Sequence, residues 1–339
     1  MGKIDNSKMN FSWSGKHVLV TGAGGFIGSH LTEKLAAKGA EVRAFVRYNS
    51  RGDPGLLRQL PTSIIKDIEI IAGDLRDFQA IRQAMNGVKV IFHLGALISI
   101  PYSYRHPMEV AETNFMGTLN MLMACKESEI SRFVHTSTSE VYGTAMRVPI
   151  DESHPLQGQS PYSASKIGAD KLAESFFCTY EIPIVTVRPF NTYGPRQSAR
   201  AVIPTIITQA LTQNTIHLGN IDTIRDFTYV GDTVDGFIKA AEKPCIEGEL
   251  FNLGSGKEIS IGELTELIIH LIGQPRELVC DPMRLRPEKS EVMRLLSDSS
   301  RAQERLGWKA QVSIEQGLQL TVDWIKNHLN HYRIGEYEF

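Results

Sequence analysis

Residues 17–28 read HVLVTGAGGFIG, and in this stretch a short run of β-forming residues enters a glycine-rich turn. Residues 27–38 follow as an amphipathic stretch, and Gly39 stands directly after it, as glycine does at the end of many helices. The order of strand, glycine turn and helix predicts the first βα unit of an open parallel sheet.

Three glycines of this turn, Gly22, Gly25 and Gly28, have the spacing of a dinucleotide-binding turn. In such a turn the first glycine permits a tight bend, the second lets the backbone approach a pyrophosphate, and the third lets the helix pack closely on the strand. Phe26 and Ile27 open the helix, whose free N–H groups and partial positive charge attract phosphates. The stretch predicts a dinucleotide site, and the alternative is a tight turn without a ligand.

Strand-like and helical segments alternate in the first part of the chain. Strands are predicted over residues 17–20, 41–46, 68–72, 88–93, 132–138 and 184–187. Helices are predicted between most of them, over residues 27–38, 78–85, 109–128 and 163–180. Such alternation forms βαβ units, and right-handed crossovers make the sheet doubly wound. The predicted fold class is therefore α/β, with a Rossmann-type doubly wound parallel sheet.

The alternation loosens in the second part of the chain. Helices are predicted over residues 201–212, 260–272, 299–306 and 314–329, and residues 225–241 are predicted to return to the sheet. We expect an amino-terminal tail (residues 1–14), a dinucleotide-binding domain (residues 15–187 with 222–252) and a smaller C-terminal substrate lobe (residues 188–221 with 253–339). The lobe is expected to pack over the carboxyl ends of the strands.

Composition and charge exclude several classes of protein. Hydrophobic residues make up 42% of the 339 residues, which is typical of a globular chain. The 36 lysines and arginines against 38 acidic residues give a net charge of −2, so we expect no nucleic-acid binding. The four cysteines are far apart and form no CxxC pair, so we expect neither zinc nor disulfides. No apolar run approaches the ~18 residues that cross a bilayer, and we expect a cytoplasmic protein without membrane contact.

The end of the second strand bears on the choice between NAD and NADP. NAD-binding sites usually place an acid there for the ribose 2′-hydroxyl. Here Val46 is followed by Arg47, and no acid occurs before Asp53. Arg47 could pair with a 2′-phosphate, which favours NADP over NAD as the cofactor. The alternative is a solvated arginine at a strand end.

Tyr162 and Lys166 form a YxxxK pair, one helical turn apart and therefore on the same face of a helix. A phenol ionises near pH 10, and a base that works near neutral pH needs about 4 kcal/mol of electrostatic help. A cation about 4 Å away supplies about that much at an effective dielectric constant near 20. We expect Lys166 to lower the pKa of Tyr162 in this way. The alternative is an ordinary surface pair.

Thr138, Ser139 and Glu140 follow the fifth strand, where ligands bind in open α/β sheets. Oxidation of an alcohol needs a tyrosine, a lysine and a hydroxyl group, but no carboxylate. Removing a proton next to a newly formed ketone does need a base, and Glu140 could be that base. The alternative is a structural carboxylate that accepts hydrogen bonds from backbone N–H groups.

Five stretches together resemble the extended short-chain dehydrogenase/reductase family of nucleotide-sugar epimerases and dehydratases: Val20–Gly28, Ser137–Gly143, Tyr162–Lys166, Arg188–Arg196 and Arg225–Val230. The resemblance covers nearly the whole chain after residue 15. It implies a bound nicotinamide dinucleotide, a nucleotide-sugar substrate and a homodimer formed through helices around residues 109–128 and 163–180.

The catalytic stretches are similar to those of the 4,6-dehydratases. The resemblance implies catalytic roles for Thr138, Glu140, Tyr162 and Lys166, with Tyr162 and Lys166 also contacting the cofactor. Glucose-type dehydratases have an aspartate at the position of Ser139. A residue other than aspartate there is similar to the GDP-mannose branch, and this similarity implies that Glu140 serves as both acid and base. Residues 155–171 and 188–208 resemble dehydratases of legionaminic-type pathways, which act on a nucleotide-linked N-acetylhexosamine.

The resemblance also implies binding residues. Asp74 and Leu75 follow the third strand, where the family contacts adenine. A diphosphate favours arginine forks, and the residues assigned to the sugar nucleotide are Asn191, Arg196, Val202, Arg225, Arg286 and Glu288. Glu288 is the candidate acceptor for the nucleoside ribose. For any single arginine the alternative is a surface salt bridge.

The implied reaction converts UDP- or GDP-N-acetylglucosamine to a 4-keto-6-deoxy sugar nucleotide, a lyase activity used in polysaccharide biosynthesis. Two alternatives on the same scaffold are a nucleotide-sugar 4-epimerase and a UDP-glucuronate decarboxylase. A cofactor-sensing binding protein is the non-enzymatic alternative, although such a protein is expected to lack the tyrosine or the lysine.

Overall fold

Residues 11–333 are described by a computed structural model, and their strands form one seven-stranded sheet and three two-stranded sheets. In chain order the strands are β1 His17–Thr21, β2 Glu41–Arg47, β3 Ile68–Gly73, β4 Val90–His93, β5 Arg132–Thr136, β6 Ile184–Pro189, β7 Thr192–Tyr193, β8 Thr215–Leu218, β9 Ile224–Arg225, β10 Thr228–Tyr229, β11 Leu250–Leu253, β12 Ile259–Ser260 and β13 Glu277–Cys280. The large sheet has the order β3-β2-β1-β4-β5-β6-β11, and its pairs are parallel. The order reverses between β1 and β4, so the predicted doubly wound fold is confirmed.

Helices cover both faces of this sheet. In chain order they are α1 Phe26–Ala37, α2 Thr62–Ile65, α3 Phe78–Met85, α4 Ile100–Arg105, α5 Pro107–Ala111, α6 Gly117–Lys126, α7 Pro161–Tyr180, α8 Val202–Thr212, α9 Val230–Glu242, α10 Ile261–Ile272, α11 Ser300–Leu306 and α12 Ile314–Asn327. Val18 and Val20 of β1 join the core under α1 and α9, whereas Leu19 joins the core under α3, α6 and α7. Both faces are apolar because side chains alternate along a strand and helices cover each side.

A third core lies among elements after residue 190. Helices α8, α10 and α12 enclose it with the parallel pair of β8 and β13, and Ile207, Leu264 and Leu318 are fully buried there. The division of the chain into a dinucleotide-binding domain and a substrate lobe remains our proposal.

Several predicted elements differ in their bounds from the structure, among them one helix and one strand. The helix predicted over residues 109–128 is divided by a π-helical turn at Glu112–Met116, where buried Asn114 bonds the main chain of Leu97 and the hydroxyl of Ser165. The strand predicted over residues 132–138 ends at Thr136. The π-helical turn coincides with contacts of Asn114 to distant parts of the chain, which local periodicity does not record.

The predicted return of residues 225–241 to the sheet is made by a helix rather than a strand. Helix α9 packs against β5 and β6, and the chain then adds the edge strand β11, which pairs with β6. We did not predict β11 as a separate strand, because its four residues are too few for a clear pattern.

The amino-terminal tail predicted over residues 1–14 lies largely outside the described residues. Trp13 is buried, packs on Phe92 with ring centroids 6.0 Å apart, and donates a 2.6 Å hydrogen bond to Glu242. The chain is therefore anchored to the core before β1 begins. In residues 11–333, no helix has both the length and the apolar character that crossing a membrane requires.

Candidate active site

A cavity of about 850 Å³ opens at the carboxyl ends of the central strands. The glycine turn after β1 lines one part of it, and Thr138, Ser139, Glu140 and Tyr162 line another. The structure therefore brings the predicted dinucleotide turn and most of the predicted catalytic residues into one space.

The glycine turn has the backbone geometry that its sequence predicts. Gly22 has a φ of 69°, and a Cβ atom there would lie 2.8 Å from the main-chain nitrogen of Gly95. A Cβ atom on Gly28 would lie 2.2 Å from the carbonyl oxygen of Gly22, so only glycine permits this approach of helix and turn. Helix α1 begins after Gly25 without a side-chain cap. Its first N–H groups thus remain available for a pyrophosphate, and these residues fit a dinucleotide.

The residues predicted for the adenosine end also lie together. Asp74 and Leu75 line a cavity of about 120 Å³ with Gly22 and Arg47. Arg76 donates to Asp74 with an Nη2–Oδ2 distance of 2.7 Å, and this hydrogen bond lowers the pKa of the Asp74 carboxyl. Arg47 also lines the large cavity and pairs with Glu109, the Nη2–Oε1 distance being 3.0 Å. The sequence did not indicate this partner.

Helix α7 positions Tyr162 and Lys166. It begins with a capping box between Ser160 and Ser163. Both Tyr162 and Lys166 are buried, and the Lys166 ammonium donates a 2.6 Å hydrogen bond to the carbonyl oxygen of Thr136. The pair therefore stands at the carboxyl end of β5, although Lys166 does not line the large cavity.

The expected lowering of the Tyr162 pKa is not found in the protein alone. Burial raises the pKa of the phenol, the hydrogen bond with Thr138 lowers it, and the charge of Glu140 raises it further. Burial also lowers the pKa of Lys166 to about 8. Loss of solvation outweighs the help that the lysine was expected to give. In the protein alone, the environment of Tyr162 therefore favours the neutral phenol.

Thr138, Ser139 and Glu140 form the turn that follows β5. Thr138 caps a 3₁₀ turn at Ser139–Tyr142, and its hydroxyl accepts a 3.2 Å hydrogen bond from the N–H of Glu140. Ser139 is buried. Within residues 11–333 no group donates a hydrogen bond to the Glu140 carboxylate. The backbone hydrogen bonds that the structural alternative requires are therefore not found among the described residues, and the catalytic role of Glu140 stays a prediction.

A second cavity, of about 450 Å³, adjoins the first. Glu140 and Asn191 line both cavities, and Val202, Arg225 and Arg286 line the second one. Four of the six residues predicted for the sugar nucleotide thus meet here. Glu140 therefore lies where the large cavity, which the glycine turn lines, meets the second cavity.

Five arginines and two glutamates line the second cavity, so its charge suits an anion. Arg225 is buried, and burial, together with the charge of Arg286, lowers its pKa. Glu291 lies between the two arginines, 3.5 Å from Arg225 and 3.6 Å from Arg286. We did not predict Glu291, because nothing in the sequence separates it from Glu288 three residues earlier.

The structure does not bring Arg196 and Glu288 to either cavity. Arg196 pairs with Glu33 of α1 at 2.5 Å, so its charge is used in packing the glycine-turn helix against the segment after β7. Glu288 is exposed in a 3₁₀ turn. Their predicted contacts with the sugar nucleotide have no support in the geometry.

A buried network lies beneath the catalytic helix. Asp170, one turn after Lys166, accepts hydrogen bonds from Ser137 at 2.7 Å and Arg188 at 2.8 Å, and its other carboxylate oxygen lies 3.0 Å from Nε2 of His135. These contacts hold the pKa of Asp170 below its usual range despite burial. Sequence reasoning missed Asp170, and its spacing of four residues from Lys166 is the signal that could have found it. In the described chain, no cluster of His, Cys, Asp or Glu could hold a metal ion.

Comparison with known proteins identifies the family. A family model described as GDP-mannose 4,6 dehydratase matches residues 19–321. The chain belongs to this family. It is therefore an enzyme of the extended short-chain dehydrogenase/reductase type that acts in nucleotide-sugar chemistry, as the sequence predicts.

Individual relatives in this family carry two activities. The UDP-glucose 4-epimerase of Mycolicibacterium smegmatis is 34% identical over 321 residues, covering 91% of this chain and 98% of that protein. The dTDP-D-glucose 4,6-dehydratase of Mus musculus is 30% identical over 331 residues, covering 95% of this chain and 92% of that protein. Sequence identity alone therefore does not separate epimerisation from dehydration.

A solved structure extends the comparison to three dimensions. A double mutant of the dTDP-glucose 4,6-dehydratase DesIV from Streptomyces venezuelae, solved with NAD bound, has a TM-score of 0.84 and 29% sequence identity. The match covers 93% of this chain and 98% of that one. The family member described here thus shares both its fold and its length with a dinucleotide-binding dehydratase.

Proposed function

We propose that the protein is a nicotinamide-dependent nucleotide-sugar 4,6-dehydratase. The observation that carries this proposal is the position of Glu140, which shares one cavity with Tyr162 and Thr138 and also borders the second cavity. A carboxylate without a structural hydrogen bond, next to the tyrosine, is what elimination needs and simple alcohol oxidation does not.

The protein groups act on three neighbouring carbons of the hexose. Tyr162 takes the proton of the 4-hydroxyl, and Thr138 hydrogen-bonds the 4-oxygen. A dinucleotide held at the glycine turn of Gly22, Gly25 and Gly28 would supply a nicotinamide able to take up the C4 hydride and return it to C6. The C4 ketone acidifies the C5 proton, which Glu140 removes and then gives to the departing 6-hydroxyl. Once hydride has added at C6, C5 takes up the proton that Tyr162 removed from the 4-hydroxyl. Water is lost, C4 is oxidised, C6 is reduced to a methyl group, and no net oxidation remains.

The proposed substrate is UDP- or GDP-N-acetylglucosamine. Arg225 and Arg286 would hold the diphosphate, because charge-assisted contacts from arginine match phosphate oxygens. Asn191 lies between the two cavities and would contact the sugar. The cofactor is NAD or NADP. Arg47 favours NADP from the sequence, but its pairing with Glu109 weakens that reason.

Two alternatives use the same scaffold. A 4-epimerase would need Tyr162 and Lys166 but not Glu140, and a UDP-glucuronate decarboxylase would release carbon dioxide. The cofactor-sensing alternative is disfavoured, because both Tyr162 and Lys166 are present and the family consists of enzymes. Incubation with UDP- and GDP-N-acetylglucosamine and, in a separate reaction, with UDP-glucuronate, followed by mass spectrometry, separates the reactions: loss of water indicates dehydration, loss of carbon dioxide from UDP-glucuronate indicates decarboxylation, and an epimerase leaves the mass unchanged. Unchanged mass with inverted C4 would overturn dehydration in favour of epimerisation.

We also propose a cytoplasmic homodimer that serves polysaccharide biosynthesis. Met108, Met116 and Met123, in and between α5 and α6, and Tyr180, at the end of α7, are large apolar side chains with 38–73% exposure, and such surfaces often mark subunit contacts. Light scattering coupled to gel filtration tests the dimer, and a monomer mass would refute it.

A further inference from the structure

An ion pair joins Arg47, at the end of β2, to Glu109 of helix α5. Arg47 donates to Oε1 of Glu109 at 3.0 Å. The other carboxylate oxygen, Oε2, accepts a 2.5 Å hydrogen bond from the hydroxyl of Tyr102. Glu109 is thus held from two sides, by the residue at the end of the second strand and by a residue of α4.

The position of this pair matches the ribose 2′ group of a dinucleotide. Arg47 lines the large cavity together with the glycine turn, and it lines the small cavity together with Asp74 and Leu75. In Rossmann-type sites an acid near the end of the second strand binds the 2′-hydroxyl of NAD, and an arginine there accommodates the 2′-phosphate of NADP. Here the strand ends in the arginine, and the acid comes from a different element.

We propose that Glu109, acting through Arg47, makes the protein select NAD over NADP. The inference rests on the proposed function, since it concerns the cofactor of the same site. Glu109 occupies a donor group of Arg47 that a 2′-phosphate would need, and it places a negative charge 3.0 Å from the guanidinium that would hold that phosphate.

The charges around Arg76 act in the same direction, whereas Arg51, which also lines the large cavity, is a cation outside this set. Arg76 is occupied by Asp74 at 2.7 Å and by Glu112 at 3.5 Å. The hydrogen bond from Tyr102 and the contact with Arg47 lower the pKa of Glu109, so its carboxylate is ionised at neutral pH. Three carboxylates therefore face two guanidinium groups, and a phosphate with a charge of about −2 would meet no uncompensated cation among these five.

The experiment compares the binding of two reduced dinucleotides to nucleotide-free protein by calorimetric titration. For the unaltered protein we expect NADH to bind more tightly than NADPH. In Glu109→Gln we expect the Kd of NADPH to fall about tenfold while that of NADH changes less than about twofold, because the variant frees Arg47 and removes one like charge. Binding, rather than turnover, is the readout.

Two further variants serve as controls. Glu112→Gln removes the same charge from the same patch, but Glu112 pairs with Arg76 and not with Arg47. We expect it to change the NADPH-to-NADH ratio less than Glu109→Gln does, since Arg76 keeps its 2.7 Å contact with Asp74. Adding Arg47→Ala to Glu109→Gln should cancel the gain in NADPH binding, since the gain depends on the freed guanidinium.

The possible results separate the role of Glu109 in dinucleotide selection from the proposed dehydratase function. An unaltered protein that prefers NADPH, a ratio that Glu109→Gln does not move, or an equal effect of Glu112→Gln would overturn the role of Glu109 and leave the dehydratase proposal in place. A protein that binds neither dinucleotide would overturn both proposals.

Discussion

The ammonium of Lys166 is hydrogen-bonded to the main-chain carbonyl of Thr136, 2.6 Å away, and is buried. This contact joins the catalytic helix to the carboxyl end of β5 and fixes the cation one helical turn from Tyr162. Because the ammonium loses its solvation, its pKa falls to about 8.

The Lys166 pKa predicts how stability depends on pH. An unfolded lysine titrates near 10.4, so between about pH 8 and pH 10 the unfolded chain binds more protons than the folded protein. The contribution of Lys166 to the free energy of unfolding therefore rises with pH between about pH 8 and pH 10. We compare the free energies of unfolding of the unaltered protein and of Lys166→Met. As the pH rises from about 8 to about 10, we expect their difference to shift by up to about 3 kcal/mol in favour of the unaltered protein. Urea unfolding at a series of pH values measures the difference, and a flat difference would contradict the lowered pKa.

Glu140→Gln should separate binding from elimination. The variant keeps the glycine turn and Tyr162, so dinucleotide binding is expected to stay unchanged. Formation of the 4-keto-6-deoxy product should fall by about 10²-fold or more, the usual loss when a general base is removed. Reduced nicotinamide should accumulate with substrate, because oxidation at C4 proceeds and elimination does not.

The control for this variant is Tyr162→Phe, which should abolish both product and the accumulation of reduced nicotinamide. Unchanged dehydration in Glu140→Gln would remove the carboxylate from the mechanism. Epimerised product formed at an unchanged rate would instead identify a 4-epimerase.

Asp170→Asn should destabilise the fold strongly. The substitution leaves the buried Arg188 without its carboxylate partner, and breaking a buried pair on one side costs about 3–5 kcal/mol. Denaturant unfolding measures the loss. A matched control on the same helix is Glu174→Gln, which breaks the exposed pair with Lys171 and should cost less than about 1 kcal/mol. Equal effects of the two variants would contradict the importance of burial.

Arg225→Gln and Arg196→Gln should differ in their effect on substrate binding. Arg225 lines the second cavity, whereas Arg196 is occupied by Glu33. We expect Arg225→Gln to raise the KM for the nucleotide sugar by about tenfold or more, and Arg196→Gln to change it by less than about twofold. Steady-state kinetics tests this, and a larger effect at Arg196 would return that residue to the substrate site.

The elements that the sequence predicts well are those that local pattern determines. The turn at Gly22 and Gly28, the YxxxK helix and the alternation of strands and helices each depend on residues close together in the chain. The meeting of Glu140 with Tyr162 could be predicted too, because carboxyl ends of parallel strands share one edge.

The relationships that the sequence did not reveal are pairs between distant residues. Glu109 meets Arg47 across 62 positions, and Glu33 meets Arg196 across 163, so neither partner could be predicted from spacing. The raised pKa of Tyr162 was missed for a similar reason, since burial is a property of the folded environment and not of the motif.

The junction formed by Glu140 and Asn191 has a consequence for the order of events during turnover. In the proposed function the large cavity holds the dinucleotide and the second cavity holds the sugar nucleotide. Product can therefore leave and fresh substrate can enter while the dinucleotide stays bound. In the proposed reaction the hydride taken from C4 is given back to C6, so the nicotinamide does not need a second substrate to reoxidise it between cycles. The enzyme is therefore expected to emerge from purification already carrying its nicotinamide.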